Sequence, residues 1–195
     1  TGPLEFQGEL PRTDDLARDL LAGRRDEGEV EWGDGVLYAE VHRASPRLII
    51  VGAGHIAQPL CTVGALLGFR VVVLDDRPDF ATRQRFPEAG GVVRVDFTDP
   101  FGQVTVTGAD HLVLVTRGHK YDYECLRRLL LEPRGPRYIG MIGSRRRVRA
   151  TFHQLVEEGI PLDRLAKVRA PLGLDLGAET PAEIAVAIAA EIVEH

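Results

Sequence analysis

Apolar runs of strand length alternate with longer segments of helical pattern over residues 47–195. Six of the runs are short enough to be buried parallel strands. They are centred on Ile49, Val72, Val93, Leu114, Ile139 and Val168. This alternation predicts an α/β fold in which helices cover both faces of a doubly wound parallel sheet, with strand order 3-2-1-4-5-6.

The first 46 residues follow a different pattern. Thr13 and Asp14 are suited to cap a short helix that runs to Leu21. A small antiparallel β-ribbon is predicted to follow, and its free edge favours a homo-oligomer. The ribbon consists of residues 29–32, a turn at Asp34-Gly35 and residues 36–41.

The two patterns divide the chain into an N-terminal appendage, residues 1–46, and a nucleotide-binding domain, residues 47–195. Residues 44–46, Ala-Ser-Pro, are predicted to be the linker. Because the chain begins at Thr1 rather than at a methionine, we expect it to be part of a longer protein. The appendage is then expected to be the remnant of a second domain.

A glycine-rich turn follows the first strand of the larger domain. Gly52 permits a tight turn, Gly54 lets the backbone approach a pyrophosphate, and Ala57 lets the next helix pack closely on the strand. Asp75 lies 21 residues beyond Gly54, at the end of the second strand, where a carboxylate binds ribose hydroxyls. This Rossmann-like fingerprint predicts that NAD(H) or a related dinucleotide binds here. The alternative is that the glycines only close a β-to-α turn.

Two further turns are expected at the same edge of the sheet, because the carboxyl ends of parallel strands meet there. In the turn after the fourth strand, His119 is a candidate ligand or catalytic acid/base, and Asp122 is predicted to cap the following helix. In the turn after the fifth strand, Ser144 is suited to cap a helix. The arginines at 145–147 are typical of a solvated helix face; the alternative is that at least one of them binds a phosphate, because the helix dipole disfavours arginine near a helix start.

The composition and charge of the chain argue against several classes of protein. A formal net charge of -5 argues against nucleic-acid binding. Residues 48–69 carry no formal charge, but their glycines, His55 and Pro59 are unsuited to a membrane span. Only two cysteines occur, Cys61 and Cys125, and both are predicted to be core residues of a cytoplasmic protein. No spacing typical of metal ligands is present, so no metal site is expected.

The last helix has a clear start signal. Thr180 and Glu183 form a predicted capping box, with Pro181 at the first helical position. The helix carries an apolar stripe at four-residue steps, which predicts docking on the sheet. The stripe consists of Ile184, Ile188 and Ile192.

Four ordered motifs cover most of the larger domain: Val51-Gly-Ala-Gly-His55, Leu74-Asp-Asp-Arg77, Tyr138-Ile-Gly-Met-Ile-Gly-Ser-Arg145 and residues 173–183. Together they resemble the xanthine dehydrogenase accessory protein family (XdhC/CoxI). The resemblance extends over residues 47–193. His55 and His119 match family histidines, whereas Arg117 stands where the family more often has another. Family members usually carry an upstream domain with a Gly-Cys segment, and residues 1–46 contain no cysteine.

The resemblance implies a domain that binds molybdenum cofactor, protects it during sulfuration and helps deliver it to a molybdenum hydroxylase. That enzyme and a cysteine desulfurase are the implied partners. The residues predicted to contact the nucleotide or the pterin phosphate belong to the three turns and to the end of the second strand. They are Gly52, Gly54, His55, Ile56, Asp75, Asp76, Arg77, Thr116, Arg117, Gly118, His119, Gly143, Ser144 and Arg145.

Two alternatives stay open from the sequence. In an NAD-dependent oxidoreductase, His119 would be the acid/base and Asp75 would select NAD over NADP by repelling a 2′-phosphate. A nucleotide-sensing regulatory domain would bind the same ligand without turnover. The oxidoreductase is disfavoured because 195 residues leave little chain for a substrate pocket.

Overall fold

The computed structural model of the chain describes residues 13–21, 27–32, 35–40, 45–133 and 135–195. The chain divides into two compact units, Thr1–Ala44 and Ser45–His195. Each unit is built around its own sheet.

The first unit contains a helix and a two-stranded ribbon. Helix α1 spans Thr13–Leu21, and strands β1 (Glu27–Trp32) and β2 (Gly35–Glu40) pair antiparallel, with Glu27 opposite Glu40. The predicted helix and ribbon are confirmed, with the ribbon strands displaced by one or two residues. The predicted turn residue Asp34 lies outside the described residues.

The second unit is a six-stranded parallel sheet with helices on both faces. In chain order, its elements are β3 (Arg47–Val51), α2 (Ala57–Leu66), β4 (Arg70–Asp75), β5 (Gly91–Arg94), β6 (His111–Leu114), α3 (His119–Leu131), β7 (Tyr138–Met141), α4 (Arg145–Glu157), α5 (Leu162–Leu165), β8 (Val168–Arg169) and α6 (Pro181–Glu194). The strand order is β5-β4-β3-β6-β7-β8. The predicted doubly wound parallel sheet and its order are therefore confirmed.

Alternate side chains of the central strands supply two apolar layers. Ile49 and Val51 belong to the layer under α3 and α4, whereas Leu48 and Ile50 belong to the layer under α2 and α6. Because both faces are covered, the central strands are almost continuously apolar, as parallel strands usually are. Cys61 and Cys125 are both buried, as predicted, and they belong to opposite layers.

The regular alternation of strand and helix is interrupted between β4 and β6. Residues 76–90, between β4 and β5, and residues 95–110, between β5 and β6, are fully described and form turns and extended segments without a helix. Three prolines interrupt these connections, at 78, 87 and 100, and a proline cannot donate the backbone hydrogen bond that a helix interior needs. The strand at this end of the sheet, β5, is consequently connected to its neighbours in the chain by loops.

Helix α6 begins with the predicted capping box. Thr180 Oγ1 accepts a hydrogen bond from Glu183 N at 3.2 Å, and Glu183 Oε2 accepts one from Thr180 N at 3.0 Å. Ile188 and Ile192 are buried against the sheet, and Ile184 is partly buried. In the described part of the chain, no helix is long and apolar enough to cross a bilayer.

Thr180→Ala should remove one half of this capping box. We expect the free energy of unfolding to fall by about 1 kcal/mol, because an amide at the helix start loses its side-chain acceptor. Urea denaturation at pH 7 measures the change. Thr180→Ser keeps the hydroxyl and should unfold within about 0.5 kcal/mol of wild type; an equal loss in both variants would contradict a capping role.

Candidate functional site

The glycine turn between β3 and α2 is shaped by one close backbone contact. Gly52 has a φ of +106°, and its amide donates to Leu74 O at 2.7 Å. A Cβ at this position would lie 2.6 Å from Val115 O, so only glycine fits. By contrast, a Cβ at Gly54 would have no heavy atom within 4 Å. The backbone is therefore held tightly at Gly52 and faces open space at Gly54.

Helix α2 begins directly after this turn without a side-chain cap. Its N-cap residue, Ile56, accepts no amide bond through its side chain, and the first turn contains no acidic residue. The first amides of a helix lack intrahelical partners and carry the positive end of the helix dipole. His55 is exposed beside them. This arrangement is suited to a phosphate or another anion.

Asp75, at the end of β4, is buried beside the glycine turn. Its Oδ2 accepts from Ala53 N at 2.7 Å and from Arg77 Nη2 at 2.9 Å. Its Oδ1 accepts from Arg77 N and Arg77 Nε, both at 2.9 Å. Burial alone would raise the pKa of this carboxyl, but the hydrogen bonds from Arg77 and Ala53 outweigh it and hold the pKa at about 2. Four donors fill the carboxylate, which leaves it little capacity for the ribose hydroxyls that the sequence predicts as its ligands.

The next residue, Asp76, pairs with the second turn. Arg117 Nη1 donates to Asp76 Oδ1 at 2.6 Å and Arg117 Nη2 to Asp76 Oδ2 at 2.8 Å. The guanidinium also lies 4.2 Å from the Tyr121 ring centroid. We call this bidentate pair, Asp76 with Arg117, the clasp.

Arg85 also belongs to the glycine turn, although no sequence motif marks it. Its Nη2 donates to Ala53 O at 3.2 Å and to Gln58 Oε1 at 3.1 Å. Two guanidinium groups lie near the Phe80 ring, those of Arg77 at 3.6 Å and of Arg85 at 4.8 Å from its centroid. The hydrogen bonds of Arg85 reach residues 32 and 27 positions away in the sequence, so no local pattern could have revealed them.

The second turn differs from the prediction in one respect. Gly118, in extended conformation, is the N-cap of α3, and half-buried His119 is its first residue. The prediction that Asp122 caps this helix is wrong, because the helix starts three residues earlier. Asp122 instead lies inside the first turn, fully buried, and accepts a hydrogen bond from Thr116 Oγ1 at 2.5 Å.

The third turn is tied to the second through Asp122. Ser144 caps α4 as predicted, its Oγ accepting from Arg147 N at 3.2 Å. Arg147 Nη2 donates to Asp122 Oδ2, whereas Arg145 and Arg146 are exposed. Burial raises the pKa of Asp122, although the bond from Thr116 and the charge of Arg147 oppose the shift. Arg147 therefore serves a buried carboxylate rather than a free phosphate site.

The structure brings the predicted residues of all three turns, with those after β4, to the carboxyl edge of the sheet. The glycine turn and the residues after β4 are joined through Asp75, and the second and third turns through Asp122. The C-terminal loop contributes ordering contacts: Glu179 N donates to Glu183 Oε2, and the side chains of Asp175 and Glu179 are exposed. In the described ranges, no three His, Cys, Asp or Glu residues are grouped to hold a metal ion.

A family model described as the XdhC Rossmann domain matches residues 48–192. The chain is 32% identical over 158 residues to the uncharacterized protein YqeB of Escherichia coli K12, a match that covers 81% of this chain and 29% of that protein. It is 32% identical over 149 residues to a Bacillus subtilis protein named as a probable xanthine dehydrogenase subunit, covering 76% of this chain and 42% of that protein.

A crystal structure described as a xanthine dehydrogenase from Bacillus halodurans aligns with a TM-score of 0.66 at 33% identity. The alignment covers 82% of this chain and 44% of that one. The chain thus spans less than half the length of each of these relatives.

Asp75→Asn should destabilise the fold in a pH-dependent way. The carboxyl pKa falls from an ordinary 3.8 to about 2 on folding, which corresponds to about 2 kcal/mol of stability at pH 7. Because the folded pKa is depressed, the loss should be constant above about pH 4 and shrink as the pH falls towards 2. Urea denaturation across this range measures it. Asp76→Asn, at the partly exposed neighbouring carboxylate, should cost less than about 1 kcal/mol; equal costs would contradict the role given to Asp75.

Arg147→Gln should leave Asp122 as a buried charge without its cationic partner. We expect a loss of about 3 kcal/mol in the free energy of unfolding. Arg146→Gln, at the exposed neighbouring position, should change it by less than about 0.5 kcal/mol. Similar losses in the two variants would show that the buried pair with Asp122 is not what makes Arg147 important.

Proposed function

The chain belongs to the XdhC Rossmann domain family, and from that premise we propose that it is the cofactor-binding part of an accessory protein for a molybdenum hydroxylase of the xanthine dehydrogenase type. In this role it binds molybdenum cofactor at the glycine turn and holds it for the enzyme. The names of the Bacillus relatives support the link to xanthine dehydrogenase. A cysteine desulfurase, as sulfur donor, is the further partner we propose, and the cytoplasm the compartment.

The observation that carries this proposal is the uncapped start of α2 beside the open space at Gly54. Molybdenum cofactor has a phosphate on its pterin, and a phosphate needs amide donors with room to approach them. The glycine turn offers both. Arg85 adds a positive charge bonded to Ala53 O, and its Nε is buried without a partner in the described part of the chain. These residues therefore fit the phosphate end of the cofactor.

Other residues of the crevice would hold the rest of the cofactor. The cofactor supplies the molybdenum centre at which the partner enzyme carries out its hydroxylation. In this chain, His55 and His119 have ring nitrogens that can bond a pterin edge, and the amides after Gly54 would fix the phosphate. Their task is to bind and orient the cofactor; catalysis by His119 would require a substrate and belongs to the second candidate.

The second candidate is a dinucleotide-binding function, either in an NAD-dependent oxidoreductase or in a nucleotide sensor. A cavity of about 780 Å³ next to Asp76 favours it. Phe97 and Tyr121 contribute aromatic walls, and Lys120 and Glu124 contribute opposite charges. A purine base fits such a mixture of aromatic and polar groups. The same glycine turn would then hold a pyrophosphate.

Titration calorimetry with two probes tests the proposal: molybdenum cofactor released from a donor enzyme, and NAD⁺ or NADH. Gly54→Asp places a carboxylate where the phosphate would approach, and the substitution has room because no atom lies within 4 Å of the new Cβ. We expect wild type to bind molybdenum cofactor and the variant to bind it at least tenfold more weakly, because two like charges would be adjacent. Binding of NAD⁺ or NADH alone would overturn the accessory role and favour the second candidate.

Gly108→Asp is the matched control. Gly108 is exposed and also has space for a Cβ, but it lies in the connection before β6, at the opposite edge of the sheet. The variant adds the same charge and should leave binding unchanged. Equal loss of binding in both variants would show that the phosphate does not bind at the glycine turn.

A further inference from the structure

The clasp connects two strands that are not neighbours. Asp76 directly follows β4, and Arg117 follows β6, while β3 lies between these two strands in the sheet. Adjacent strands are about 4.8 Å apart, so the pair spans two strand spacings. It therefore crosses the carboxyl end of β3, which is where the glycine turn begins.

A second distance fixes the clasp beside the glycine turn. Arg117 Nη1 lies 4.0 Å from Asp75 Oδ1, and the same carboxylate accepts the amide of Ala53 at 2.7 Å. The guanidinium of Arg117 and the amide of Ala53 thus approach the same carboxylate, that of Asp75. Ala53 belongs to the glycine turn, which we propose binds phosphate. Arg117 is therefore a cationic group of the second turn placed beside the glycine turn.

The carboxylates of Asp75, at the end of β4, and of Asp76, directly after it, differ in the number of hydrogen bonds that they can still accept. Asp75 is 1% exposed and filled by four donors. The Asp76 side chain is 29% exposed and accepts two bonds, both from Arg117, among the residues described. A carboxylate has about four acceptor positions, so Asp76 is the one that could take ribose hydroxyls in exchange for the guanidinium.

We propose that the clasp opens when a nucleotide binds: Arg117 exchanges Asp76 for a phosphate of the ligand, and Asp76 exchanges Arg117 for the vicinal ribose hydroxyls. Each member of the ion pair receives a ligand group of matching character: the guanidinium receives anionic oxygens, and the carboxylate receives hydroxyl donors. Among nucleotides, the clasp thereby favours those that carry both a phosphate and a free ribose diol, the ligand class of the second candidate. A ligand with a phosphate and no ribose would engage Arg117 alone. The inference rests on the proposed function in one respect, that the glycine turn binds phosphate.

Two probes separate the two halves of the exchange. Inorganic pyrophosphate has no ribose, so for this probe Asp76 only competes for Arg117. We expect Asp76→Asn to tighten pyrophosphate binding about fivefold, and Arg117→Gln to weaken it about tenfold. For NAD⁺, Asp76 is also a ligand, and Asp76→Asn should weaken binding about tenfold. Opposite signs for the two probes are the signature of the exchange, measured by titration calorimetry.

A double-mutant cycle distinguishes the clasp from a simple effect of net charge. If Asp76→Asn acts by freeing Arg117, its gain for pyrophosphate should disappear in the Asp76→Asn, Arg117→Gln double variant. A gain that persists without Arg117 would overturn the proposal, since the loss of a nearby negative charge would then suffice. So would NAD⁺ binding that tightens, or stays unchanged, in Asp76→Asn.

Glu158→Gln provides the matched control. Glu158 pairs with Arg127 at 3.2 Å, both side chains are 42% exposed, and the substitution changes the net charge by the same amount. It should leave the binding of both probes unchanged. The Gly54→Asp variant separates this proposal from the proposed function: if wild type binds neither probe, or binds them independently of Gly54, the phosphate site itself is wrong. If binding depends on Gly54 but the cycle is additive, only the clasp is wrong.

Discussion

The carboxylate of Asp75 determines how the edge of the sheet is arranged. It is buried and charged, and a buried charge is tolerated only when hydrogen bonds replace the lost water. Ala53 and Arg77 supply those bonds, so the glycine turn and the chain after β4 are held at a fixed separation. The stacking of Arg77 on Phe80 and the approach of Arg117 follow from this placement.

Asp122 has the corresponding role under the other two turns. It joins Thr116, just after β6, to Arg147, in the first turn of α4. Two of the crevice arginines, Arg77 and Arg147, therefore neutralise internal carboxylates rather than a ligand. The positive character left for an anion is that of the start of α2 and, in the exchange we propose, that of Arg117. The proposed anion site therefore needs no excess of basic residues in a chain whose net charge is -5.

The sequence predicts those features that depend on local pattern. Residues close together in the chain are enough to predict the buried strands, the turn at Gly52 and the capping box at Thr180. The strand order follows from the general rule for connections between parallel strands. The roles of Asp75, Asp122 and Arg85 could not be predicted in this way. Each has one partner that is distant in the sequence, 22, 25 and 32 residues away respectively, and only the folded sheet brings these partners together. Local pattern favours a cap for Asp122 because capping is the commonest local role of an aspartate near a helix start.

Asp75 and Asp76 have identical side chains, but the difference in their burial gives them different properties. A buried, fully bonded carboxylate is costly to disturb, because any exchange leaves charged groups unpaired inside the protein. A partly exposed ion pair contributes less than about 1 kcal/mol and is replaced easily by water or by a ligand. The pair of Asp75 with Arg77 can therefore fix the glycine turn while the adjacent clasp changes partners, as we propose. Consecutive residues have these two different environments because β4 ends between them.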